Sequence, residues 1–514
     1  MKSNCTITLL CLAFMMMCSP ISSAKSYRKN VAKDEANVNK EIKPITGTWV
    51  NLAYKDVRNK YTNPQYFDNT DPKLWEAKVR ELSKMGIEYL VLMEVANDGK
   101  SYYPSKIMPW LYDAASKSPV DAILDEAAKH NMKVFMSTGW AKNQDDNLLD
   151  PEIKKRQLEI MEELSKLYSN KKTFYGWYLP VEDCLCPIFA EHAVQSVNSL
   201  VERANQLTPG KKTLISPYGI GLSNFDDPNY EKQLKKLKVD IIAYQDEVGC
   251  VRDKFTLPRL KKNWQRMRDI HNRLNIEMWA NCETFTWEQG TNDRQSALIP
   301  AAYSRLLSQQ VAASQGGVDR IISFMFGGII EDPYSPYQLG QPLWSNEPYR
   351  NYMSWKRGDY YWKLFEATLT NKLKNNVPAS TKVSENIDAL IDNKVGEENS
   401  QDNNWNKFNK GYNEVVLNFN TNVHVKDVFI RTLNYNQENI TPMMKAYIFF
   451  SNDGKKYSLA SIKDTQYFPN NKHDAWIDGV LFKDLNVNAK YMKVAFYGIG
   501  NVYMDELYVN PTIK

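Results

Sequence analysis

Four carboxyl-bearing positions follow directly on short apolar runs: Glu182 after TFYGWYLPV (173–181), Asp246 and Glu247 after VDIIAYQ (239–245), and Glu283 after IEMWANC (276–282). Two carboxyl groups facing one another can cleave a glycosidic bond, one protonated to donate to the leaving oxygen and one ionised as nucleophile or base. Aromatic and amide residues occupy matching places around other runs. Trp49, Asn51 and Tyr54 lie in and after the first, Trp140 after the third, Tyr218 after the fifth, Gln245 ends the sixth and Trp287 follows the seventh. Rings of this kind stack on sugar faces, and amides read hydroxyl groups.

Elements must bring such residues to one place, and the pattern of the chain supplies them. Eight β-rich runs alternate with helix-patterned stretches: 46–52, 87–95, 133–138, 173–181, 213–217, 239–245, 276–282 and 320–326. A parallel strand–helix repeat of eight closes into a (β/α)8 TIM barrel, an α/β fold whose reactive groups gather at the C-terminal strand ends. Asp71-Pro72, Ser118-Pro119 and Asp150-Pro151 each set a capping side chain before a proline at the first helical position. In the first of these helices Trp75, Val79 and Leu82 share one face, and Gly86 ends it.

Beyond Asn371 the pattern changes. Residues 386–413 are polar and turn-rich, and alternating strands follow at 414–419, 425–432, 445–451, 490–497 and 502–509, with an Asn452-Asp453-Gly454 turn signal. We read a separate antiparallel β-sandwich. The expected organisation is an export signal at 1–24, a flexible leader at 25–43, a catalytic barrel at 44–377 and a sandwich at 378–514, with the boundary near Pro378.

Composition narrows the function classes. A 514-residue chain exceeds a single core, and 43% hydrophobic with 24% charged residues is ordinary for globular protein. The net charge of +5 is spread along the chain without a basic nucleic-acid motif, so nucleic acid is not an expected partner. Lys2, the apolar run 7–17 and Ser22-Ser23-Ala24 read as a cleaved signal. The expectation is a secreted or periplasmic protein without a membrane-spanning segment, lipid attachment at Cys18 being the alternative.

Cys5, Cys11 and Cys18 fall in or beside the signal, leaving Cys184, Cys186, Cys250 and Cys282. Cys184-Leu185-Cys186 lacks a second half of metal-site spacing, and the five histidines are scattered, so a loop disulfide or buried thiols are expected rather than a metal. Gly327-Gly328 reads as room for the last loop to turn. With no phosphate loop or dinucleotide fingerprint, no cofactor is expected.

FYGWYLPVE together with WANCETF is similar to the large clan of retaining barrel glycosidases. More closely, TGTWVNL, FYGWYLPVED, IIAYQDEVGC and WANCETF resemble a family of bacterial barrel domains of unassigned function taken to be glycosidases. The resemblance covers most of residues 44–326 and implies Glu182 as acid/base and Glu283 as nucleophile. Where the clan carries an asparagine that holds the substrate 2-hydroxyl, Val181 stands here, and Asp246 or Glu247 remains open for the second role. ALID (389–392), Trp405-Asn406-Lys407-Phe408, VKDVFIRTL, SNDGK and YMDELYVNP are similar to discoidin-type domains, which implies a carbohydrate-binding or a packing role for residues 378–511.

The leading expectation is a glycoside hydrolase that cleaves a poly- or oligosaccharide with retention. A non-catalytic glycan-binding surface protein on a barrel scaffold is the alternative, because fold does not imply activity.

Overall fold

Each of the eight β-rich runs becomes a parallel strand in the computed structural model, which describes residues 41–53, 60–66, 70–139, 150–250, 257–289, 295–371, 373, 379–381, 388–465 and 475–513. The export signal, the leader up to residue 40, Cys5, Cys11, Cys18, Tyr54, Trp140 and Pro378 lie outside the described residues. The strands are β1 (Ile45–Val50), β2 (Tyr89–Leu92), β3 (Lys133–Ser137), β4 (Phe174–Tyr178), β5 (Lys212–Ile215), β6 (Ile241–Gln245), β7 (Glu277–Glu283) and β8 (Arg320–Phe324). They pair in sequence order and close, β8 lying beside β1. At the closure Gly47 faces Tyr89 on one side and Ile322 on the other. A Cβ there would fall 2.5 Å from Ile322 Cγ2, so only glycine lets the closing strands approach.

The period of two along each strand sorts the side chains. Trp49, Val91, Phe135, Tyr178, Leu214, Ala243, Trp279 and Ile322, one per strand, form a buried cluster inside the barrel. Their neighbours Leu90, Val134, Trp177, Ile215, Ile242, Ala280 and Ile321 point outward into the larger core under the helices. The barrel is thus filled below its mouth, and chemistry is left to the strand ends.

The helices are α1 (Pro72–Lys84), α2 (Pro119–Lys129), α3 (Pro151–Tyr168), α4 (Glu191–Leu207), α5 (Pro228–Lys236), α6 (Leu257–His271), α7 (Tyr303–Gln315), α8 (Pro342–Lys356) and α9 (Tyr360–Glu366). Asp71, Ser118 and Asp150 cap as expected, accepting from the backbone N–H of Lys73, Asp121 and Glu152, and Asp227 does the same for α5. Trp75, Val79 and Leu82 form the buried face of α1. The same helix buries Lys78, whose Nζ lies 2.5 Å from Glu331 Oε1 and 3.0 Å from Glu81 Oε2. A buried ammonium persists only with such partners.

After α9 the chain enters two antiparallel sheets built from β9 (Asn406–Phe408), β10 (Gly411–Val425), β11 (Val428–Tyr435), β12 (Lys445–Ser451), β13 (Ser458–Asp464), β14 (Ala475–Phe482), β15 (Val487–Gly498) and β16 (Val502–Val509). One sheet runs 379–381, β10, β15, β12, β13 and the other β9, β16, β11, β14. Their facing residues, among them Val415, Leu417, Ile430, Ile448, Val494 and Leu507, make a second core. β9, β13 and β14 stand beyond the five strands expected, and Val425 ends β10 instead of opening β11.

Barrel and sandwich meet where α9 and the following segment pack Leu364 and Leu369 on Phe429, Leu481 and Tyr508. Tyr361 donates its hydroxyl to Asp478 Oδ1 at 2.6 Å. Leu369 and Thr370 pair with Ile513 and Thr512, so the entry and exit of the sandwich lie side by side. Among the described residues no helix is long and apolar enough to cross a membrane.

Candidate active site

Glu182 lies four residues beyond β4, on the loop between β4 and α4. Its carboxyl keeps solvent-accessible surface, and Gln245 Nε2 donates to Oε1 at 2.6 Å. Partial desolvation by the neighbouring protein raises its pKa above the ordinary glutamate range, with the Gln245 hydrogen bond opposing the shift. Gln245, the last residue of β6, is itself fixed by a second bond from Nε2 to Ser216 O at 3.0 Å.

Glu283, the last residue of β7, lies in a different setting. It is 5% exposed, and its Oε2 accepts from the backbone N–H of Cys250 at 2.6 Å. Gly249 presses so close that a Cβ on it would meet Phe285 O at 2.4 Å and Glu283 Oε2 at 3.0 Å. Burial, followed by the nearby charges of Asp246 and Glu247, pushes the Glu283 pKa up to about 8, against the Cys250 N–H and the more distant Arg305.

Asp246 is completely buried between β6, β7 and α7. Its Oδ2 accepts from Gln309 Nε2 at 2.6 Å, and its Oδ1 accepts from the backbone N–H of Glu283 at 3.1 Å and of Val248 at 3.3 Å. Both oxygens are therefore taken up by protein donors, and the residue acts as a strut under Glu283. Arg305 completes this support by donating to the carbonyls of Glu283 and Phe285 at 3.0 and 2.7 Å. Glu247 has a left-handed backbone (φ 56°), and its half-buried carboxyl gathers the N–H groups of Gly219, Ile220 and Gly221, tying the β5 loop to the β6 loop. Neither acid has a free approach to a substrate comparable to that of Glu182.

The expected aromatic positions divide in the same way. Trp49 is 3% exposed and packs edge-on against Tyr178 with ring centroids 4.5 Å apart, which makes it part of the barrel filling. Asn51 turns back to accept from Ala53 N–H at 3.1 Å, and Trp287 sits half-buried on a ribbon formed by Phe285–Trp287 and Leu298–Pro300. Tyr218 is 40% exposed, and its backbone pairs with the loop that follows Glu182. In that loop Cys184 and Cys186 form a disulfide, while Cys250 and Cys282 are thiols. Among the described residues no group of three or more His, Cys, Asp or Glu is arranged to hold a metal ion.

A further carboxyl at the mouth is Glu94. The run IEYLVLMEV reads as one strand through Val95, which hides this residue, whereas β2 stops at Leu92. Glu94 is 1% exposed; its Oε1 accepts from Ala53 N–H at 2.8 Å, its Oε2 has no partner among the described residues, and burial raises its pKa to about 8. Burial holds the Tyr178 phenol well above its ordinary range, and the charges of Glu182 and Glu94 add to the shift.

Set beside known proteins, residues 45–337 match a family model described as "Domain of unknown function (DUF4434)". None of the curated proteins matches the sequence. Among solved structures, a Bacteroides thetaiotaomicron VPI-5482 protein assigned provisionally as an alpha-L-fucosidase is 20% identical, covering 66% of this chain and 99% of its own, with a TM-score of 0.47. A Ruminococcus gnavus GH29 fucosidase in complex with fucose is 11% identical over 92% of this chain and 93% of its own, with a TM-score of 0.31. The C-terminal domain of a Bacteroides fragilis chitobiase is 17% identical over 27% of this chain and 97% of its own, with a TM-score of 0.20. Likenesses this loose assign no residue a role.

Proposed function

We propose that this chain, which belongs to the DUF4434 family of domains of unknown function, is a glycoside hydrolase that cleaves a poly- or oligosaccharide at the barrel mouth. The observation that carries the reading is Glu182: a solvent-reachable carboxyl at a barrel strand end, oriented by Gln245 and with its pKa raised by desolvation. That combination suits a general acid, which must be protonated yet accessible to a leaving oxygen. In this reading Glu182 protonates the glycosidic oxygen as the bond to the anomeric carbon breaks, and ionised Glu283 attacks that carbon to form a glycosyl ester. Glu182 then takes a proton from water, whose oxygen displaces Glu283, and the anomeric configuration is retained. The discoidin-like sandwich would hold or present the glycan, and the export signal read at residues 1–24 suits an enzyme that meets its substrate outside the cytoplasm.

A second reading, a glycan-binding protein without catalysis, is favoured by the burial of Glu283 under Gly249 and Cys250. Reducing-end detection across a glycan panel separates the two. The hydrolase reading expects release from at least one substrate and a loss of roughly 10²–10⁴-fold in kcat for Glu182→Gln. Unchanged rates in both Glu182→Gln and Glu283→Gln would sink it.

A further inference from the structure

Away from the barrel mouth, a cavity of about 450 Å³ opens between barrel and sandwich, within the roughly 300–1,000 Å³ range of small-molecule sites. The barrel contributes the start of α7 and parts of α8 and α9; the sandwich contributes β11, β14 and the end of β13. Indole rings stand on both sides: Trp344 is half-buried on α8, while Trp362 and Trp476 are 6% exposed on α9 and β14.

The polar lining is unusual in what it offers together. Asn434 is 1% exposed, lines the cavity and has no partner for Oδ1 among the described residues, an orphan whose burial is unfavourable unless something donates to it. Nearby, α7 begins at Tyr303 with no capping side chain, and the first N–H groups of any helix lack intrahelical acceptors. Acceptor and donors therefore line one space. Glu347, which accepts from Asn351 Nδ2, and Asp478, which accepts from Tyr361, add two carboxyls. Burial pushes the Glu347 pKa up to about 7, with Asp478 adding to the shift, and burial raises Asp478 also.

These groups select among ligand classes. An anion would meet four acids, Glu347, Asp359, Asp464 and Asp478, and no lysine, arginine or histidine lines the cavity among the described residues. A cation would face the positive end of α7. Hydroxyl groups both donate and accept, and a sugar ring adds an apolar C–H face for indole.

We infer that this interdomain cavity is a second saccharide site, one that takes a neutral mono- or disaccharide held by Trp344, Trp476, Asn351 and Asn434. It uses residues of both domains, so bound sugar ties the sandwich to the barrel. The site is independent of hydrolysis at the mouth.

Titration calorimetry on the full chain carrying Glu182→Gln keeps turnover out of the measurement. Cellobiose, lactose and chitobiose serve as neutral probes, with tetramethylammonium and glucuronate as charged controls. At least one neutral disaccharide should bind, and Trp344→Ala and Asn351→Ala should each weaken it at least about tenfold, a change of about 1.4 kcal/mol. Asn351 is half-buried on α8, so its variant keeps the test meaningful should Trp344→Ala fail to fold. The proposal is overturned if no neutral disaccharide binds at millimolar concentration, if affinity is unchanged in a folded variant, or if tetramethylammonium or glucuronate binds and the sugars do not. Absence of hydrolysis by the wild-type chain would bear on the barrel mouth alone.

Discussion

Gln245 holds Glu182: a single amide nitrogen donates to the carboxyl at 2.6 Å and to Ser216 O at 3.0 Å, anchoring the acid to the ends of two barrel strands. Because a donor favours the ionised form, its loss raises the carboxyl pKa further. Gln245→Leu should therefore move the alkaline limb of the kcat/KM profile to higher pH while lowering kcat by roughly tenfold through lost orientation. A pH–rate series on an active substrate reads both effects; a lowered limb would contradict the assignment of Glu182 as the acid.

The nucleophile sets the opposite limb. In the proposed mechanism Glu283 must shed its proton to attack, and burial with neighbouring charge raises that pKa to about 8. Under the retaining reading kcat/KM requires ionised Glu283 and protonated Glu182, so its rising limb should follow the Glu283 titration near pH 8 and its falling limb that of Glu182. Glu283→Gln should abolish the rising limb along with activity, and proton NMR of the first product should show the starting anomeric configuration. An inverted product would transfer the second role elsewhere.

Glu94 gives a pH effect that needs no substrate. Its folded pKa of about 8 lies above the 4.5 of an ordinary glutamate, so the native state binds the extra proton. Its contribution to stability is fully present below pH 4.5 and declines as pH rises to about 8, at most about 1.4 kcal/mol per unit of difference. In urea titrations from pH 5 to 9, Glu94→Gln should lose less stability than the wild type. Parallel curves would refute this.

Lys78 tests the charge cluster beneath α1. Lys78→Met leaves Glu81 and Glu331 buried without their cation and should cost about 3–5 kcal/mol. Asp71→Ala, which removes one cap from the same helix, should cost about 1 kcal/mol. Denaturant melts of the two variants give the ratio directly.

The disulfide lies two residues beyond Glu182, and Gly219, where a Cβ would fall 2.6 Å from Cys184 Sγ, packs against it. So short a closed loop removes little chain entropy from the unfolded state. Cys184→Ser with Cys186→Ser should leave global stability within about 1 kcal/mol while reducing kcat several-fold, because the loop orients the acid. An equal loss in both would mark the bridge as structural only.

The barrel was legible because its strands are buried on both faces and read as β-branched and aromatic runs, and because Asp71, Ser118 and Asp150 announce their helices. The missing sandwich strands gave no such signal. β13, SLASIKD, is exposed along nearly its whole length and carries no alternation. In β14, Asp478-Gly479 reads as a turn, yet Gly479 is required where a Cβ would strike Phe429 at 2.4 Å and Asp478 is spent on Tyr361. Residue type and strand-end position were legible in the candidate site; exposure was not. Glu182, Gln245, Asp246 and Glu283 lie at the C-terminal ends of β4, β6 and β7, but sequence position alone cannot tell a carboxyl facing water from one turned under a loop. Asp246 is held by Gln309 and Glu283 by Cys250, contacts between residues 33 to 63 positions apart that no local pattern reveals.

The pairing of Leu369 and Thr370 with Ile513 and Thr512 makes the sandwich a loop of chain fastened at its neck. Asn371 tightens that neck, donating to Leu507 O at 2.7 Å and accepting from Val509 N–H at 3.3 Å. A tension applied at the C-terminal strand is consequently transmitted to the segment after α9 before it reaches the sandwich core. Mechanical load would unzip the neck first and leave both hydrophobic cores intact.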